Sequence, residues 1–432
     1  MDPQAATASF EELSGTFFCS AATAWPAIAA RKPTAQFLCW DDALCDVRAR
    51  LRQLLGVDTA NVCLFHNTTA ALQRVLWRLN RELRPRSGHA LLTTDLEFPG
   101  TIAAARDYWD GPIVIVEIAR LASEGHSSAV TEILREAITR FEPRVFCVSH
   151  VARAFGYQFE TSTLRMVREL LPEAVLVIDG AQAVGNIVVD AETLREVDIY
   201  IGCTHKWLCG PPTLGFAVAS PKWQLSDPAQ SYSSLAESAG AGNLDTLRGT
   251  CATLHDFEDN PNDLSHSRMR EIAARNRTLA KLFCSLLTRA NGALRPVGQL
   301  PDANAAWPLN GIVGLAGDVG SLMLTVDTSG DSSRIRTCAE SGRVMASLIR
   351  SEPLWAAWRT TRPGSNVLMC PAQQRSVRQV RRKTTTTYSQ VPQETILRFC
   401  FHHFHTAEDI RKLAEKLTTV RHPPNSLQAL NN

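Results

Sequence analysis

The sequence predicts an α/β protein with a mostly parallel, mixed sheet between helices, followed by a smaller α+β domain. The chain has 432 residues, and a chain of this length usually divides into two domains. Between about residues 60 and 250, short continuous apolar runs alternate with helical patterns. Strands that are covered on both faces have such runs. After about residue 265, a long amphipathic helical pattern replaces this alternation.

The predicted strands of the large domain are its apolar, β-branched runs. They are residues 90–94, 112–117, 145–149, 175–178, 199–201 and 214–218. Between them, residues 129–140 and 164–171 carry apolar side chains at helical spacing. Because a helix between two strands lets the chain return and start the next strand in the same direction, this order favours a parallel sheet.

We expect four parts along the chain. Residues 1–60 form an N-terminal segment that packs on the small domain and at the entrance to the active site, 61–265 form the large domain, 266–421 form the small domain, and 422–432 form a disordered tail. In the small domain we expect helices at 266–287 and 407–420 and a mobile, Thr-rich loop at 375–390.

Charge and cysteine usage exclude several classes of protein. The 45 Lys and Arg residues nearly balance the 43 Asp and Glu residues, which argues against a nucleic-acid binder. No apolar run reaches the roughly 18 residues of a membrane span, and the N-terminus lacks the pattern of a secretory signal. The 12 cysteines are scattered, so we expect reduced thiols, a cytoplasmic location and no metal site.

The sharpest functional pattern is an Asp and a Lys that each follow a predicted strand. Asp179 ends one apolar run, and Lys206 comes shortly after another. Ligands of open α/β sheets bind at the carboxyl ends of the strands. A Lys amine there can form a Schiff base with pyridoxal phosphate, while an Asp keeps the pyridine nitrogen protonated. Taken alone, Asp179 would be interpreted as a residue that caps a turn, and Lys206 as an ordinary surface residue. Together, the two residues favour a pyridoxal-phosphate site.

The segments around this pair resemble a known family. Asp-Gly-Ala-Gln at 179–182, then His-Lys-Trp-Leu at 205–208 and a Gly/Pro turn, are similar to the fold type I pyridoxal-phosphate enzymes of the class V aminotransferase family. That family includes cysteine desulfurases and isopenicillin N epimerase-like proteins. The resemblance implies an aminotransferase-type large domain, pyridoxal 5'-phosphate as cofactor, and a homodimer with a shared active site.

The resemblance assigns cofactor contacts within the large domain. Thr68 and Thr69 open a predicted helix and would bind the phosphate, because helix N-terminal amides and hydroxyls suit an anion. Phe98 would stack on the pyridine ring, where desulfurases have His. Gln182 would donate a hydrogen bond to the phenolic oxygen of the cofactor.

The resemblance implies further phosphate contacts at positions that match the family pattern less closely. His205 is similar to a phosphate-contacting His. Desulfurases have Ser where this chain has Cys203, so Thr204 is a candidate for the missing hydroxyl. Thr250 and Thr253 resemble a segment that reaches the phosphate of the neighbouring subunit.

Two arginines are the candidate substrate contacts. Arg398 resembles the family's Arg that holds the substrate α-carboxylate, a task suited to a planar guanidinium; a structural salt bridge is the alternative. Arg153 replaces an Asn that lies near the cofactor oxygen and the substrate. It either binds an acidic group of the substrate or points into solvent.

The chain departs from the desulfurase pattern on the substrate side. Residues 381–388 contain no Cys where desulfurases carry a nucleophilic one, and the nearest candidate is Cys370. Residues 17–26 also lack the family's usual Asn. Persulfide transfer to a loop Cys is therefore disfavoured, and the altered pocket favours a specialised substrate of secondary metabolism.

The resemblance implies an enzyme that acts on an amino acid through an external aldimine and a Cα carbanion, with Lys206 as the general base. Transamination, epimerisation, elimination and decarboxylation all share these species. One alternative is a cysteine desulfurase or C–S lyase that uses another thiol. Another is a non-catalytic pyridoxal-phosphate-binding regulatory protein, which the intact Asp179 and Lys206 disfavour.

Overall fold

Two β-sheets organise the part of the chain that the structure describes. The structure is a computed structural model, and it describes residues 40–57, 61–85, 89–220, 223, 244–257, 267–289, 294–297, 310–317, 334–339, 342–349, 367–370 and 396–419. The predictions for residues 17–26, the 375–390 loop and the 422–432 tail lie outside the described residues.

The helices and strands follow one another in a largely alternating order. The helices are α1 (Trp40–Leu55), α2 (Thr68–Leu83), α3 (Pro99–Tyr108), α4 (Ala119–Ser123), α5 (Ser127–Phe141), α6 (Thr161–Leu170), α7 (Ala191–Arg195), α8 (Leu244–His255), α9 (Ser267–Arg289) and α10 (Ala407–Thr419). The strands are β1 (Asn61–Phe65), β2 (Leu91–Thr94), β3 (Ile113–Val116), β4 (Val145–Ser149), β5 (Val175–Asp179), β6 (Ile199–Cys203), β7 (Gly215–Ala219), β8 (Leu294–Val297), β9 (Ile312–Gly317), β10 (Arg334–Ala339), β11 (Gly342–Ile349), β12 (Val367–Cys370) and β13 (Ile396–Cys400).

The first sheet is mixed, with a parallel centre. Its strand order is β1-β7-β6-β5-β4-β2-β3-β12. The pairs from β6 to β3 are parallel, whereas β1, β7 and β12 pair antiparallel with their neighbours. The predicted mostly parallel sheet is therefore confirmed. The six predicted strands correspond to β2–β7, with ends that differ by one or two residues.

The strands of this sheet are buried because helices cover both faces. Alternate side chains of β4 point to opposite faces, so Phe146 and Val148 join one core cluster while Val145 and Cys147 join the other. Side chains of α1, α5 and α6 belong to the cluster that contains Phe146, and side chains of α2 and α3 belong to the cluster that contains Val145. This double cover explains the continuous apolar runs of the sequence.

The second sheet is antiparallel, with the order β10-β11-β13-β9-β8. Phe399 lies in β13 and Phe401 follows directly after this strand. Both pack with Phe283 of α9 and Leu413 of α10. These elements have the α+β character expected of the small domain. Helix α1 packs against α8 and belongs to a core cluster that also includes Ile312 of the second sheet. The domain boundaries themselves stay a prediction.

The carboxyl ends of six strands meet at one edge of the first sheet. Strands β2 to β6 are parallel, and β1 runs in the same direction as β6 because each pairs antiparallel with β7. The residues that follow these strands therefore lie close together. None of the described helices is both long enough and apolar enough to cross a bilayer.

A buried ion pair ties helix α6 to the sheet. Arg168 Nη2 of α6 lies 2.5 Å from Asp198 Oδ2, and the Asp198 side chain is 2% exposed. The same carboxylate oxygen accepts a hydrogen bond from the Leu176 amide of β5 at 2.9 Å. Arg168 also donates to the carbonyl of Ala174 at 3.0 Å. The guanidinium therefore joins α6 to the start of both β5 and β6.

We expect Arg168→Ala to lower the free energy of unfolding by about 3–5 kcal/mol, because it leaves the buried Asp198 carboxylate without its cation. Urea denaturation measures this loss. The matched control is Arg165→Ala on the same helix, whose partners Glu192 and Glu196 lie nearer the surface; it should lower the free energy of unfolding far less, because exposed ion pairs contribute little. Equal losses for the two variants would contradict the assigned role of the buried pair.

Candidate active site

A cavity of about 190 Å³ opens at the carboxyl edge of the parallel strands. Eight of the predicted site residues line it. They are Thr68, Thr69, Phe98, Arg153, Asp179, Gln182, His205 and Lys206. These residues come from five separate stretches of sequence, and the parallel register brings them together.

Asp179 lies at the end of β5 and is buried. Its Oδ1 accepts a hydrogen bond from the Ala181 amide at 2.8 Å. Burial raises the pKa of the Asp179 carboxyl, and the positive charge of Lys206 acts in the opposite direction. Gly180 is required here, since a Cβ at this position would lie 2.2 Å from the Tyr200 ring. The carboxylate is thus held in a desolvated place beside a lysine.

The backbone next to Lys206 is fixed by the buried side chain of Trp207. Trp207 Nε1 donates to Gln182 Oε1 at 2.9 Å, which orients the Gln182 amide in the cavity wall. The Trp207 ring stacks on His402 with centroids 5.5 Å apart. His402 Nε2 also donates to the Trp207 carbonyl at 2.6 Å. The residues after β13 therefore hold the segment that carries Lys206.

The N-terminus of α2 forms the opposite end of the cavity. Asn67 caps the helix, and its Oδ1 accepts from the Ala70 amide at 2.9 Å. Thr68 Oγ1 and His205 Nδ1 are buried and have no nitrogen or oxygen partner among the described residues, while the Cys203 thiol lies beside both side chains. Polar groups of this kind at a helix N-terminus fit a phosphate.

Cys203 and His205 influence each other. Burial acts to raise the pKa of the Cys203 thiol, but the charge of Lys206 and the contact with His205 outweigh it and lower that pKa. Burial acts to lower the pKa of His205, and the contact with Cys203 outweighs it and raises that pKa. The Cys203 thiol therefore has charged and polar neighbours. It occupies the position at which desulfurases carry Ser.

Thr204 does not line the cavity. Its Oγ1 donates to the Leu214 carbonyl at 3.3 Å, and the side chain is fully buried. Side chains alternate in direction along extended chain, so Thr204 points away from the side on which Cys203 and His205 lie. This placement does not support the suggested phosphate contact of Thr204.

Thr250 and Thr253 lie in α8, which packs against α1. Both are buried within this protomer, and Thr253 Oγ1 donates to the Gly249 carbonyl at 2.8 Å. A side chain covered by its own protomer is not presented to a second one. The structure therefore gives no support to their role at a neighbouring phosphate, which stays a prediction.

Phe98, Arg153 and Arg398 lie together on the side of the cavity that faces the second sheet. Phe98 is 43% exposed, and the Arg153 guanidinium lies 5.3 Å from the centroid of its ring. Arg398 of β13 is buried, does not line the cavity, and donates to the Arg153 carbonyl at 3.3 Å. Burial and the charge of Arg398 lower the pKa of Arg153 to about 10.

Glu97 is a buried residue at this site whose role the sequence does not predict. Its Oε1 accepts from Thr94 Oγ1 at 2.8 Å, and its Oε2 accepts from the Ser149 amide at 2.8 Å and the Ser149 hydroxyl at 2.6 Å. Ser149 lines the cavity and lies opposite Asp179 in the strand register. Mainly through burial, the pKa of Glu97 rises to about 7.

The Glu97→Gln substitution tests this carboxyl through the pH dependence of stability. Since the folded-state pKa exceeds the ordinary value of 4.5, the stabilisation by the bound proton is complete below about pH 4.5 and is lost as pH rises through about 7. We expect the parent's free energy of unfolding, relative to the variant, to fall by up to about 3 kcal/mol across that range. The exposed control Glu132→Gln should leave the profile unchanged, whereas identical profiles for parent and Glu97→Gln would contradict the assignment.

A family comparison matches the segment that carries the cavity. Residues 39–237 match the family described as Aminotransferase class-V, and this segment contains β1–β7 and every residue that lines the cavity. The match covers less than half of the chain and confirms, over that segment, the predicted resemblance to this family, whose members depend on pyridoxal phosphate. The residues of the cavity fit such a cofactor, with a phosphate-binding helix end, a lysine and a buried carboxylate.

One curated relative is similar to this chain over part of its length. The chain is 29% identical to an isopenicillin N epimerase from Streptomyces clavuligerus over 187 residues, which cover 41% of this chain and 43% of that protein. The chain thus matches less than half the length of this curated relative.

Solved structures match over nearly the whole chain at low identity. A variant of the enzyme C-DES with glycine covalently linked to its PLP cofactor has a TM-score of 0.65 at 16% identity, covering 96% of this chain and 99% of that one. The cysteine desulfurase CsdA from Escherichia coli has a TM-score of 0.64 at 16% identity, covering 97% and 98%. These likenesses confirm the aminotransferase-type fold.

Proposed function

We propose that this chain is a pyridoxal-phosphate-dependent enzyme that acts at the Cα atom of an amino-acid substrate. The observation that carries this proposal is the single cavity onto which Asp179, Lys206 and the N-terminus of α2 converge. The cofactor, when bound, supplies a conjugated ring that accepts the electron pair of a carbanion. The remaining tasks fall to side chains of this chain.

The side chains divide these tasks by their place in the cavity. Thr68, Thr69 and His205 hold the phosphate at the α2 end. Asp179 holds a proton on the ring nitrogen, because a buried carboxylate is stabilised by an adjacent cation. Phe98, which lines the cavity beside Arg153, would stack on the ring.

Lys206 has two roles in this proposal. Its Nζ amine would hold the cofactor, and as a free amine it would take the proton from the substrate Cα. The contacts of Trp207 hold this lysine in place. Arg398 stays the predicted contact of the substrate α-carboxylate, for which a planar guanidinium is suited, although its buried side chain does not line the cavity.

Several finer predictions are part of the proposal. Epimerisation, transamination, elimination and decarboxylation all begin with these steps, and the match to an epimerase makes epimerisation the first reaction to assay. A homodimer with a shared active site, a cytoplasmic location and a role in specialised metabolism remain predictions from the sequence.

The position of Cys370 argues against a desulfurase that would use this thiol. Cys370 ends β12, and the strand register pairs it with Ile113, the first residue of β3. The site lies at the carboxyl edge of the parallel strands, and Ile113 lies at the other end of β3. A persulfide formed at Cys370 would therefore lie at the edge of the sheet opposite the one that carries the cavity.

Absorption spectroscopy of the purified protein tests the cofactor assignment. We expect the visible band that the cofactor has when it is joined to a lysine amine, and Lys206→Ala should abolish this band because no other amine lines the cavity among the described residues. The matched control Lys281→Ala removes an exposed lysine of α9 and should keep the band. A band that survives Lys206→Ala would overturn the assignment.

Exchange of the Cα proton separates an enzyme from a non-catalytic cofactor carrier. In deuterated buffer, we expect the parent to exchange the Cα proton of at least one amino acid, as NMR detects, and Lys206→Ala to lose at least about 100-fold in this rate, since general-base catalysis contributes on this order. A protein that shows the visible band but exchanges no Cα proton with any amino acid would be a carrier.

A further inference from the structure

The Glu97 carboxyl group and the Ser149 hydroxyl form a hydrogen-bonded pair at the wall of the cavity, the Glu97–Ser149 pair. Glu97 Oε2 lies 2.6 Å from Ser149 Oγ and accepts from the Ser149 amide at 2.8 Å. Glu97 is buried and does not line the cavity, whereas Ser149 does. The strand register places Ser149 of β4 opposite Asp179 of β5. Glu97 therefore reaches the cavity through the hydroxyl of Ser149.

Glu97 has acidic rather than basic neighbours. The titratable groups that face it are Asp179 from β5 and Cys147 from β4. Burial and the negative charge of Asp179 raise the pKa of Glu97 to about 7, although its hydrogen bonds act in the opposite direction. Burial and both carboxylates raise the pKa of Cys147, which keeps this thiol neutral. Glu97 is therefore the group of this cluster that gains and loses a proton near neutral pH.

The contacts of the two Glu97 oxygens decide where that proton lies. An ionised carboxyl only accepts hydrogen bonds, whereas a protonated one also donates one. Thr94 Oγ1, the partner of Oε1, is fully buried, and Glu97 is the acceptor that the described residues give its hydroxyl. The Ser149 hydroxyl can instead turn toward the cavity that it lines. The proton is therefore best placed on Oε2, between Glu97 and Ser149 Oγ.

We propose that Glu97 is a positioning residue that sets the direction of the Ser149 hydroxyl. When Glu97 is ionised, the Ser149 hydroxyl donates to Oε2. When Glu97 takes up a proton from solvent, Oε2 donates to Ser149 Oγ, and the hydroxyl hydrogen turns into the cavity, where Asp179 lies on the neighbouring strand. The carboxyl group and the hydroxyl thus exchange the roles of donor and acceptor.

The consequence for the cofactor rests on the proposed function. A hydrogen bond from the Ser149 hydroxyl to the Asp179 carboxylate favours the ionised form of Asp179. An ionised Asp179 leaves the proton on the ring nitrogen. A proton on Glu97 therefore supports the role of Asp179, although Glu97 itself does not touch the cavity.

Infrared spectroscopy of the purified full-length protein tests the Glu97–Ser149 pair. We expect the carbonyl band of a protonated carboxylic acid that disappears as the pH rises through about 7. Glu97→Gln should remove this band, which distinguishes it from the band of Asp95, a group with a pKa of about 6. The exposed control Glu132→Gln should leave it in place. A band that survives Glu97→Gln would overturn the proposal.

The Ser149→Ala substitution tests the contact between the two groups. We expect it to raise the midpoint of the Glu97 band by about one pH unit, because a hydrogen bond to an ionised acceptor is stronger than one between neutral groups. It should also shift the frequency of the band, since the acid loses its acceptor. Ser149→Cys, a weaker donor of similar size, should raise the midpoint in the same direction. The exposed control Ser162→Ala should change neither quantity. An unchanged midpoint and frequency in both Ser149 variants would contradict the proposal.

The visible band of the holoenzyme separates this inference from the cofactor assignment. We expect the band of the parent to shift with a midpoint at about pH 7, and both Glu97→Gln and Ser149→Ala to lose most of that shift. If only Glu97→Gln loses it, the charge of Glu97 acts directly and the role of the hydroxyl is overturned. If the infrared results are as expected but no visible band forms, the cofactor assignment fails and the Glu97–Ser149 pair stands. If the visible band forms but the infrared band does not respond to Ser149→Ala, the pair fails.

Discussion

The buried carboxylate of Asp179 beside the cationic Lys206 is the interaction around which this site is built. Burial raises the pKa of the carboxyl, and the lysine charge counteracts that effect and makes the charged form of the carboxyl more favourable. The pair can exist in a desolvated place only because β5 and β6 are adjacent and parallel. Their carboxyl ends then present both side chains to one cavity.

The second sheet completes the site through contacts with the loops of the first. His402 stacks on Trp207, next to Lys206, and Arg398 and Asn310 bind the turn that carries Arg153. Each of these contacts joins residues that are far apart in sequence. The wall of the cavity around Arg153 and Lys206 therefore depends on how the residues around β9 and β13 pack against the loops that follow β4 and β6.

The sequence was sufficient to predict what depends on local pattern. Continuous apolar runs predicted β2–β7 because both faces of the sheet are covered, and Asp179 and Lys206 were predictable because each follows such a run. Glu97 was not, since its partner Ser149 lies 52 residues away. Nor was the bond between His402 and Trp207, which spans 195 residues. For Thr204 the match to the family pointed to a hydroxyl, but the alternation of side chains turns this one away from the cavity.

Reduction with borohydride followed by peptide mass mapping tests the central claim most directly. Borohydride makes the bond between the cofactor and a lysine amine permanent, so the modified peptide reports the attachment point without any need to know the substrate. The structure predicts a single phosphopyridoxyl group on the peptide that contains Lys206, and none in protein carrying Lys206→Ala. Attachment to a different lysine, or no attachment in protein that has been incubated with the cofactor, would contradict it.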